Sequence, residues 1–354
     1  MLINKRILVF SVVFLCVALG AFAYSRILGV ATTQKALTEE KTNYGGITGD
    51  PNPLNIEYMR KQEYPGSGIV IEQTLPEGSN YKRYIASYKS DGLKIYALLT
   101  VPKSDKPATG FPVVIFNHGY IPPEQYRTTE KYIAYTDAFS SNGYIVFKSD
   151  YRGHGNSEGN AEFPEYSPSY TIDILNAISS IKKYKDADPN KIGMWGHSMG
   201  GTVTLRSLVV SKDIKVADIW AGVVGTYQDL AKNHHGGKAN RPHPSPNTGE
   251  PTRPLSGRSL LAQQNGDIAT NPQFWASIDP MTYINDITAP IQIQHGTADE
   301  EVPYVLSTKL DTTLKNAGKV VEFYSYEGDN HNLSNNLDTA LERSVAFFDK
   351  YLKN

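Results

Sequence analysis

Mostly apolar runs alternate with helix-like segments along this chain, and that alternation constrains its fold more than any other feature. Such runs, ending in a small or polar residue, are typical of strands buried on both faces of a sheet. The six runs are residues 113–119, 144–150, 191–198, 216–225, 290–296 and 319–328. The helix-like segments are residues 129–141, 169–185, 199–210, 303–317 and 336–353. The alternation predicts an α/β fold with a mostly parallel central sheet and helices on both faces.

A hairpin is predicted ahead of this region. Asp91-Gly92 separates two alternating runs within residues 81–102, and Asp-Gly favours a two-residue turn between antiparallel strands. Residues 25–75 before it are polar and broken by glycine and proline, which predicts a linker or loosely packed arm. We therefore expect the folded domain to extend over residues 76–354.

Residues 226–280 interrupt the alternation with seven prolines and scattered glycines. A connection of this length is usually a binding loop, a lid or a disordered segment. We expect a lid over the active site, with a disordered surface loop as the alternative. The histidines of this insertion have no Cys or carboxylate at a ligand spacing, so no metal site is predicted. They are His234, His235 and His243.

The first residues have the pattern of an export signal. Lys5 and Arg6 precede an uncharged apolar stretch at residues 7–24, and Ala21-Phe22-Ala23 suits a cleavage site. Left uncut, the stretch is about long enough to span a bilayer. Residues 1–24 are therefore interpreted as a signal peptide or membrane anchor, and the protein as extracytoplasmic, either secreted or tethered.

Composition removes several classes of function. The chain has 35 basic and 36 acidic residues, a formal net charge of -1, and so lacks the basic excess that a nucleic-acid partner favours. Its one cysteine, Cys16, lies in the N-terminal apolar stretch. A cysteine nucleophile, a disulfide framework and a Cys-ligated metal are thereby excluded from the folded part.

The motif with the clearest chemistry is Gly196-His197-Ser198-Met199-Gly200, which fits G-x-S-x-G. A predicted buried strand leads into it and a predicted helix follows. In the α/β-hydrolase fold this context forms a tight turn that exposes the serine. Ser198 is therefore the predicted nucleophile, and His197 is the variable residue of the motif.

A serine nucleophile needs a base, and the base needs an orienting acid. In the α/β-hydrolase fold the order is Ser, then Asp or Glu, then His, with the later two after strands. Asp299 follows the run 290–296 and His331 follows the run 319–328, so they are the predicted acid and base. Glu300 and Glu301 are the alternatives for the acid.

The oxyanion hole is expected from two backbone N–H groups. One belongs to Met199, directly after the nucleophile, and the other to Tyr120, after the first buried strand. The apolar side chains expected to line the substrate pocket are Trp275 and Tyr227, both within the insertion.

Other histidines have structural interpretations. His118 is expected to shape the oxyanion loop, and His295 to brace the loop that carries the acid. His154 is expected to be structural as well, with Asp150 and Arg152 bracing its loop against each other.

Three segments resemble a known family. GHSMGG, HGTADEEVPY and DYRGHGNSEG are similar to the catalytic domain of the prolyl-oligopeptidase family, peptidase S9, and to dienelactone-hydrolase-like esterases. The resemblance implies an α/β-hydrolase with the triad Ser198, Asp299 and His331. Prolyl-oligopeptidase-type enzymes carry a β-propeller ahead of this domain, whereas about fifty polar residues stand there in this chain. Peptide and small-ester substrates therefore both remain open.

These observations predict a serine hydrolase that opens an ester or amide of a small-molecule or peptide substrate through an acyl-enzyme, without a cofactor. An acyltransferase would share every motif. A non-catalytic surface-binding homologue is a further alternative, although such proteins usually lose a triad member. The expected partners are the substrate and, if the N-terminal segment is uncleaved, a membrane.

The export interpretation can be tested by expressing the full chain in a cell with a secretion pathway. We expect the domain outside the cytoplasm, and an intact mass beginning at Tyr24 would show cleavage after Ala23. A soluble cytoplasmic protein that keeps residues 1–24 would contradict the interpretation.

Overall fold

A computed structural model describes residues 52–233 and 257–353. In these ranges nine strands form one sheet, ordered β1-β2-β3-β5-β4-β6-β7-β8-β9. The strands are β1 Val70–Leu75, β2 Tyr81–Ser90, β3 Leu93–Pro102, β4 Phe111–Asn117, β5 Ile145–Ser149, β6 Ala187–His197, β7 Ile214–Trp220, β8 Ile291–Gly296 and β9 Val321–Tyr326. Strands β4 to β9 pair in parallel, and β1, β2 and β3 pair antiparallel with their neighbours. The predicted mostly parallel sheet is confirmed.

Helices connect the strands of the parallel part. In the described residues the α-helices are α1 Ile56–Lys61, α2 Ile133–Ser141, α3 Ser169–Ile181, α4 Met199–Val210, α5 Tyr227–Asn233, α6 Gly257–Asn265, α7 Pro272–Ile278, α8 Val305–Asn316 and α9 Leu337–Leu352. A 3₁₀ segment covers Pro280–Asp286. None of the helices in the described ranges is long and apolar enough to cross a membrane. The predicted signal or anchor at residues 1–24 lies outside those ranges.

The central strands bury both of their faces, which explains their continuous apolar sequences. Along β4, Val113 and Ile115 belong to one apolar cluster, whereas Val114 and Phe116 belong to another. The first cluster includes side chains of α3 and α4, and the second includes side chains of α2 and α9. Because successive side chains of a strand point to opposite faces, helices cover the sheet on both sides.

The hairpin around Asp91-Gly92 is confirmed. Strands β2 and β3 pair in register from Tyr81 opposite Pro102 to Ser90 opposite Leu93. The two turn residues have φ angles of 50° and 80°. A turn with two positive φ angles matches the twist of the strands it joins, which is why Asp-Gly suits this position.

The prediction of a loosely packed arm over residues 25–75 is wrong from Leu54 onward. Ile56 and Met59 of α1 are 0% and 1% exposed in the main core. Arg60 donates to the Val209 carbonyl at 2.9 Å and anchors the helix against α4. Helix α1 has six residues, too few to show a helical period, and β1 is an exposed edge strand without alternation. Neither element therefore left a pattern in the sequence.

The described part of the insertion has a small apolar core of its own. Trp275 and Ile278 of α7 pack with Tyr227 of α5, Leu261 of α6 and the more distant Leu54. These contacts attach the described helices of the insertion to the segment before α1. The three histidines of the insertion, His234, His235 and His243, lie outside the described residues. The prediction that they form no metal site therefore stays untested.

The position of α1 in the fold can be tested with two isoleucines. Ile56→Ala should lower the free energy of unfolding by about 2–5 kcal/mol, because a fully buried side chain leaves a cavity. Ile71→Ala, on exposed β1, should lower it by less than about 1 kcal/mol. Chemical denaturation of the two variants measures both values. Equal small losses would mean that α1 is not packed in solution.

Candidate active site

Ser198 lies in a sharp turn between β6 and α4. Its φ and ψ angles are 55° and -121°, a strained conformation for a residue with a Cβ atom. The turn requires the flanking glycines, because a Cβ on Gly196 would approach Thr204 Oγ1 to 2.2 Å. A Cβ on Gly200 would approach the Asn117 carbonyl oxygen to 2.1 Å. The structure thus gives the G-x-S-x-G segment the tight turn that its sequence predicts.

Asp299 and His331 meet beyond the ends of β8 and β9. His331 Nδ1 donates to Asp299 Oδ2 at 2.7 Å. The other carboxylate oxygen accepts the backbone N–H groups of Glu301 and Val302 at 2.8 and 2.9 Å. Burial alone would raise the pKa of Asp299, but hydrogen bonds from His295 and His331 outweigh it and lower that pKa below its ordinary value. Asp299 is therefore an ionised acceptor at neutral pH.

The bond to Asp299 determines which nitrogen of His331 is free. With Nδ1 donating, Nε2 of the neutral ring has a lone pair and can accept a proton. The His331 ring centroid lies 4.5 Å from that of His197, the residue before Ser198. The described residues show no hydrogen bond between Ser198 Oγ and His331 Nε2. Without substrate, contacts of this kind are often long and tighten in the reacting complex.

The alternative acids lie elsewhere. Glu301 Oε2 is 3.9 Å from His331 Nε2, on the opposite side of the ring from Asp299, and the Glu301 side chain is 68% exposed. Glu300 is also exposed. The orienting position beside Nδ1 is thus occupied by Asp299.

His295 braces the acid loop, as the sequence interpretation expects. Its Nε2 donates to Asp299 Oδ2 at 2.9 Å and to the Val302 carbonyl at 3.1 Å. Its Nδ1 accepts from the Ser307 hydroxyl at 2.7 Å. Because both nitrogens are engaged and the residue is fully buried, His295 has no free nitrogen to serve as a base.

The loop after β4 lies against Ser198. A Cβ on Gly119 would be 3.1 Å from Ser198 Cβ. The Gly119 N–H already donates to Tyr132 Oη at 2.9 Å. Among the described residues, the N–H groups of Tyr120 and Met199 have no acceptor. One of these unsatisfied donors directly follows Ser198, and the other follows Gly119 in the loop that contacts it. The Met199 N–H also belongs to the positive end of α4.

His118 supports the loop after β4 from inside the protein. It is fully buried, its Nδ1 donates to the Gly119 carbonyl at 2.7 Å, and its ring packs on Tyr126 and Tyr151. Burial lowers its pKa well below the ordinary value, so the ring stays neutral.

The expected brace between Asp150 and Arg152 needs correction. Asp150 accepts from Tyr126 Oη at 2.8 Å and from the Thr128 hydroxyl at 2.5 Å. Arg152 instead forms a buried ion pair with Asp173, at 2.7 Å from Nη2 to Oδ1. Asp150 thus braces the loop against the segment between β4 and α2, whereas Arg152 braces it against α3.

A small cavity of about 20 Å³ lies along α4, about one helical turn beyond Ser198. Tyr227 lines it together with Thr202 and Val223, and the Val223 N–H donates to the Ser198 carbonyl at 3.0 Å. Trp275, the other expected wall, packs behind Tyr227 at 5.1 Å between ring centroids and is 3% exposed. Of the two pocket predictions, only Tyr227 contacts this cavity.

Two residues of this region escaped the sequence analysis. Phe163 is 51% exposed and stacks on Tyr120, itself 56% exposed, at 6.2 Å between ring centroids. Tyr132 connects Gly119, in the loop after β4, to His197. Neither stands in a motif, and both reach the site through contacts between distant parts of the chain. Only a weak sign of either residue is present in the sequence, because each is simply an aromatic residue in a mostly polar loop.

Comparison with known proteins defines the class. Residues 91–321 match the family model described as X-Pro dipeptidyl-peptidase (S15 family). The uncharacterized peptidase YtmA of Bacillus subtilis is 24% identical over 74% of this chain and 91% of its own length. The fold and these matches define a serine hydrolase of the α/β-hydrolase class. Within that class, the chain belongs to the S15 family.

Solved structures show the same fold. The acylaminoacyl peptidase of Pyrococcus horikoshii aligns with a TM-score of 0.62 at 22% identity, over 78% of this chain and 43% of that one. An acetyl xylan esterase from Paenibacillus aligns at 0.61 and 17% identity, over 84% and 92%. Est1E from Butyrivibrio proteoclasticus aligns at 0.56 and 22% identity, over 76% and 99%. The resemblance to peptidases and esterases is confirmed, and the chain spans less than half of the peptidase.

Two carboxylates near His331 can be compared directly. Asp299→Asn should lower kcat on the order of 10⁴-fold, because the amide favours the wrong His331 tautomer. Glu301→Gln should change kcat less than about tenfold, because its exposed carboxylate does not orient the ring. Steady-state kinetics on one ester measures both. A larger loss in Glu301→Gln would assign the orienting role to Glu301.

Proposed function

We propose that this protein cleaves esters or amides through an acyl-enzyme on Ser198, with His331 as base and Asp299 as its orienting acid. The pair of Asp299 and His331 beside the strained Ser198 turn carries the proposal. The family and the neighbouring folds support hydrolase chemistry of the peptidase or esterase type.

Acylation begins when Ser198 Oγ attacks the substrate carbonyl carbon. His331 Nε2 takes the hydroxyl proton, while the carbonyl electrons move onto oxygen and are stabilised by the N–H groups of Met199 and Tyr120. The tetrahedral intermediate collapses, and His331 gives its proton to the departing alcohol or amine. An ester between Ser198 and the acyl group remains.

Deacylation repeats these steps with water. His331 removes a proton from a water molecule, whose oxygen attacks the acyl carbon, and the proton then returns to Ser198 Oγ as the acid leaves. Asp299 stays ionised throughout, because its hydrogen bonds lower its pKa. It stabilises the His331 cation that forms in both halves of the reaction.

The surface around Ser198 favours a substrate with a flat apolar group near the scissile bond. Tyr120 directly follows Gly119, which contacts Ser198, and its ring stacks on Phe163 to form an exposed aromatic wall. The segment that carries Phe163 is anchored, because the buried Arg206 guanidinium donates to the Pro164 carbonyl. One structure of the similar Est1E contains ferulic acid, an aromatic acid. We therefore propose aromatic or cyclic apolar acyl and leaving groups as preferred substrates.

We also propose that the insertion, with Tyr227 on the cavity, forms a lid that selects the substrate. The basis is its small core and the contact of Tyr227 with a cavity that Val223 also lines. The Val223 N–H donates to the Ser198 carbonyl, which connects the wall of this cavity to the Ser198 turn. The proposed site of action is outside the cytoplasm, on the strength of the N-terminal sequence alone. The proposed partners are small esters and peptides.

A fluorophosphonate probe and a substrate panel test the function. The full chain should be labelled, and Ser198→Ala should lose both labelling and turnover, whereas Ser334→Ala, an exposed serine near His331, should retain both. The panel should contain aromatic and aliphatic p-nitrophenyl esters and prolyl and acyl-aminoacyl anilides, with kcat/KM higher for aromatic than for linear acyl groups. Labelling of Ser198→Ala at wild-type level would refute the nucleophile, and a preference for linear acyl groups would refute the substrate class.

A further inference from the structure

A continuous line of hydrogen bonds joins the loop after β4 to the His331 loop. The Gly119 N–H donates to Tyr132 Oη at 2.9 Å. Tyr132 Oη lies 2.8 Å from His197 Nδ1. His197 Nε2 lies 3.0 Å from the His331 carbonyl oxygen. Three sequence-distant segments and the nucleophile turn are thus connected through the side chains of Tyr132 and His197.

The donors and acceptors determine the tautomer of His197. A carbonyl oxygen can only accept, so His197 Nε2 must carry the proton that it donates to His331. In the neutral ring Nδ1 is then an acceptor, and it takes the hydroxyl proton of Tyr132. The Tyr132 oxygen in turn accepts from Gly119. The opposite tautomer would place the Nε2 lone pair against the carbonyl and leave the Tyr132 hydroxyl without an acceptor among the described residues.

His197 is suited to stay neutral while the reaction proceeds. It is 2% exposed, and burial, followed by the nearby His331, lowers its pKa to about 3. When His331 takes the Ser198 proton, a second cation with its ring 4.5 Å away would oppose that step. A neutral His197 can stay hydrogen-bonded to the His331 backbone without adding charge.

Tyr132 is held in place independently of its hydroxyl. Lys131 and Tyr132 have φ angles of 53° and 54°, so two successive residues adopt the left-handed conformation at the start of α2. The Tyr132 ring packs edge-on against Phe116 and Trp195, with centroids 5.5 and 6.1 Å away. The strained backbone and the aromatic contacts aim the hydroxyl at Gly119 and His197.

We propose that Tyr132 and His197 are positioning residues that keep the oxyanion loop and the base loop in register across the nucleophile turn. This inference rests on the proposed roles of Tyr120 and His331. Gly119 immediately precedes the proposed donor Tyr120, so its bond to Tyr132 sets where that donor points. The hydrogen bond from His197 Nε2 to the His331 carbonyl oxygen fixes the position of the His331 backbone. Neither residue touches the reacting atoms.

The decisive variant is Tyr132→Phe, which keeps the ring contacts and removes both hydrogen bonds. We expect kcat to fall on the order of 10- to 100-fold, as a small misplacement of catalytic groups produces, with KM changed less than about threefold. Tyr144→Phe is the matched control, because its hydroxyl also donates to one partner, Asp349, but lies away from the site. It should retain wild-type kcat. A kcat loss in Tyr132→Phe no larger than in this control overturns the proposal.

His197→Gln and the double variant test the connection between the two residues. Because either change interrupts the same line of bonds, the double variant should lose much less than the product of the two single losses. Independent, multiplicative losses would mean that the two side chains act separately and would overturn the proposal.

A measurement without turnover separates this inference from the proposed function. In protein with ¹⁵N-labelled histidine, the His197 ring should be a neutral Nε2–H tautomer from pH 5 to 8, and Tyr132→Phe should shift its Nδ1 resonance. If the probe fails to label Ser198 while these resonances are as expected, the proposed function fails but the proposed connection through Tyr132 and His197 stands. If the His197 ring of the wild-type protein is protonated or is the Nδ1–H tautomer, the proposed connection through Tyr132 and His197 is overturned.

Discussion

The rest of the site depends on the strained turn at Ser198. This turn is possible only where two glycines lie against neighbouring backbone, and it is fixed by a hydrogen bond on each side. The Ser198 N–H donates to the Trp220 carbonyl, and its own carbonyl accepts the Val223 N–H, each at 3.0 Å. The first partner ends β7 and the second follows it, so the pairing of β6 with β7 sets the position of Ser198. Strain of this kind persists only when the surrounding structure over-determines it.

The parallel sheet explains why the remaining groups gather at this turn. Strands β4, β6, β8 and β9 all run in one direction, and the residues after their carboxyl ends therefore share an edge of the sheet. Gly119 follows β4, Ser198 follows β6, Asp299 follows β8 and His331 follows β9. The shared direction of the parallel strands thus brings groups separated by more than two hundred residues of chain to one edge of the sheet.

The sequence predicts what depends on local pattern and misses what depends on distant contacts. The buried strands, the Asp91-Gly92 hairpin and the G-x-S-x-G turn each have a short signature that physical chemistry can interpret. The closeness of Asp299 to His331 followed from their places after strands. Tyr132 had no such signature, because its function arises from a left-handed backbone and from partners 13 and 65 residues away. Helix α1 was missed because six residues show no period.

The electrostatics of the acid impose a further condition on the site. Asp299 is buried, which by itself favours its neutral form, yet orientation of His331 requires the carboxylate. Four N–H donors resolve the conflict, and they come from His295, His331 and the backbone of Glu301 and Val302. Only one of the four, His331, takes part in the proposed reaction. The other three keep the charge in place whichever protonation state His331 adopts, so the acid is prepared before substrate arrives and need not reorganise during proton transfer.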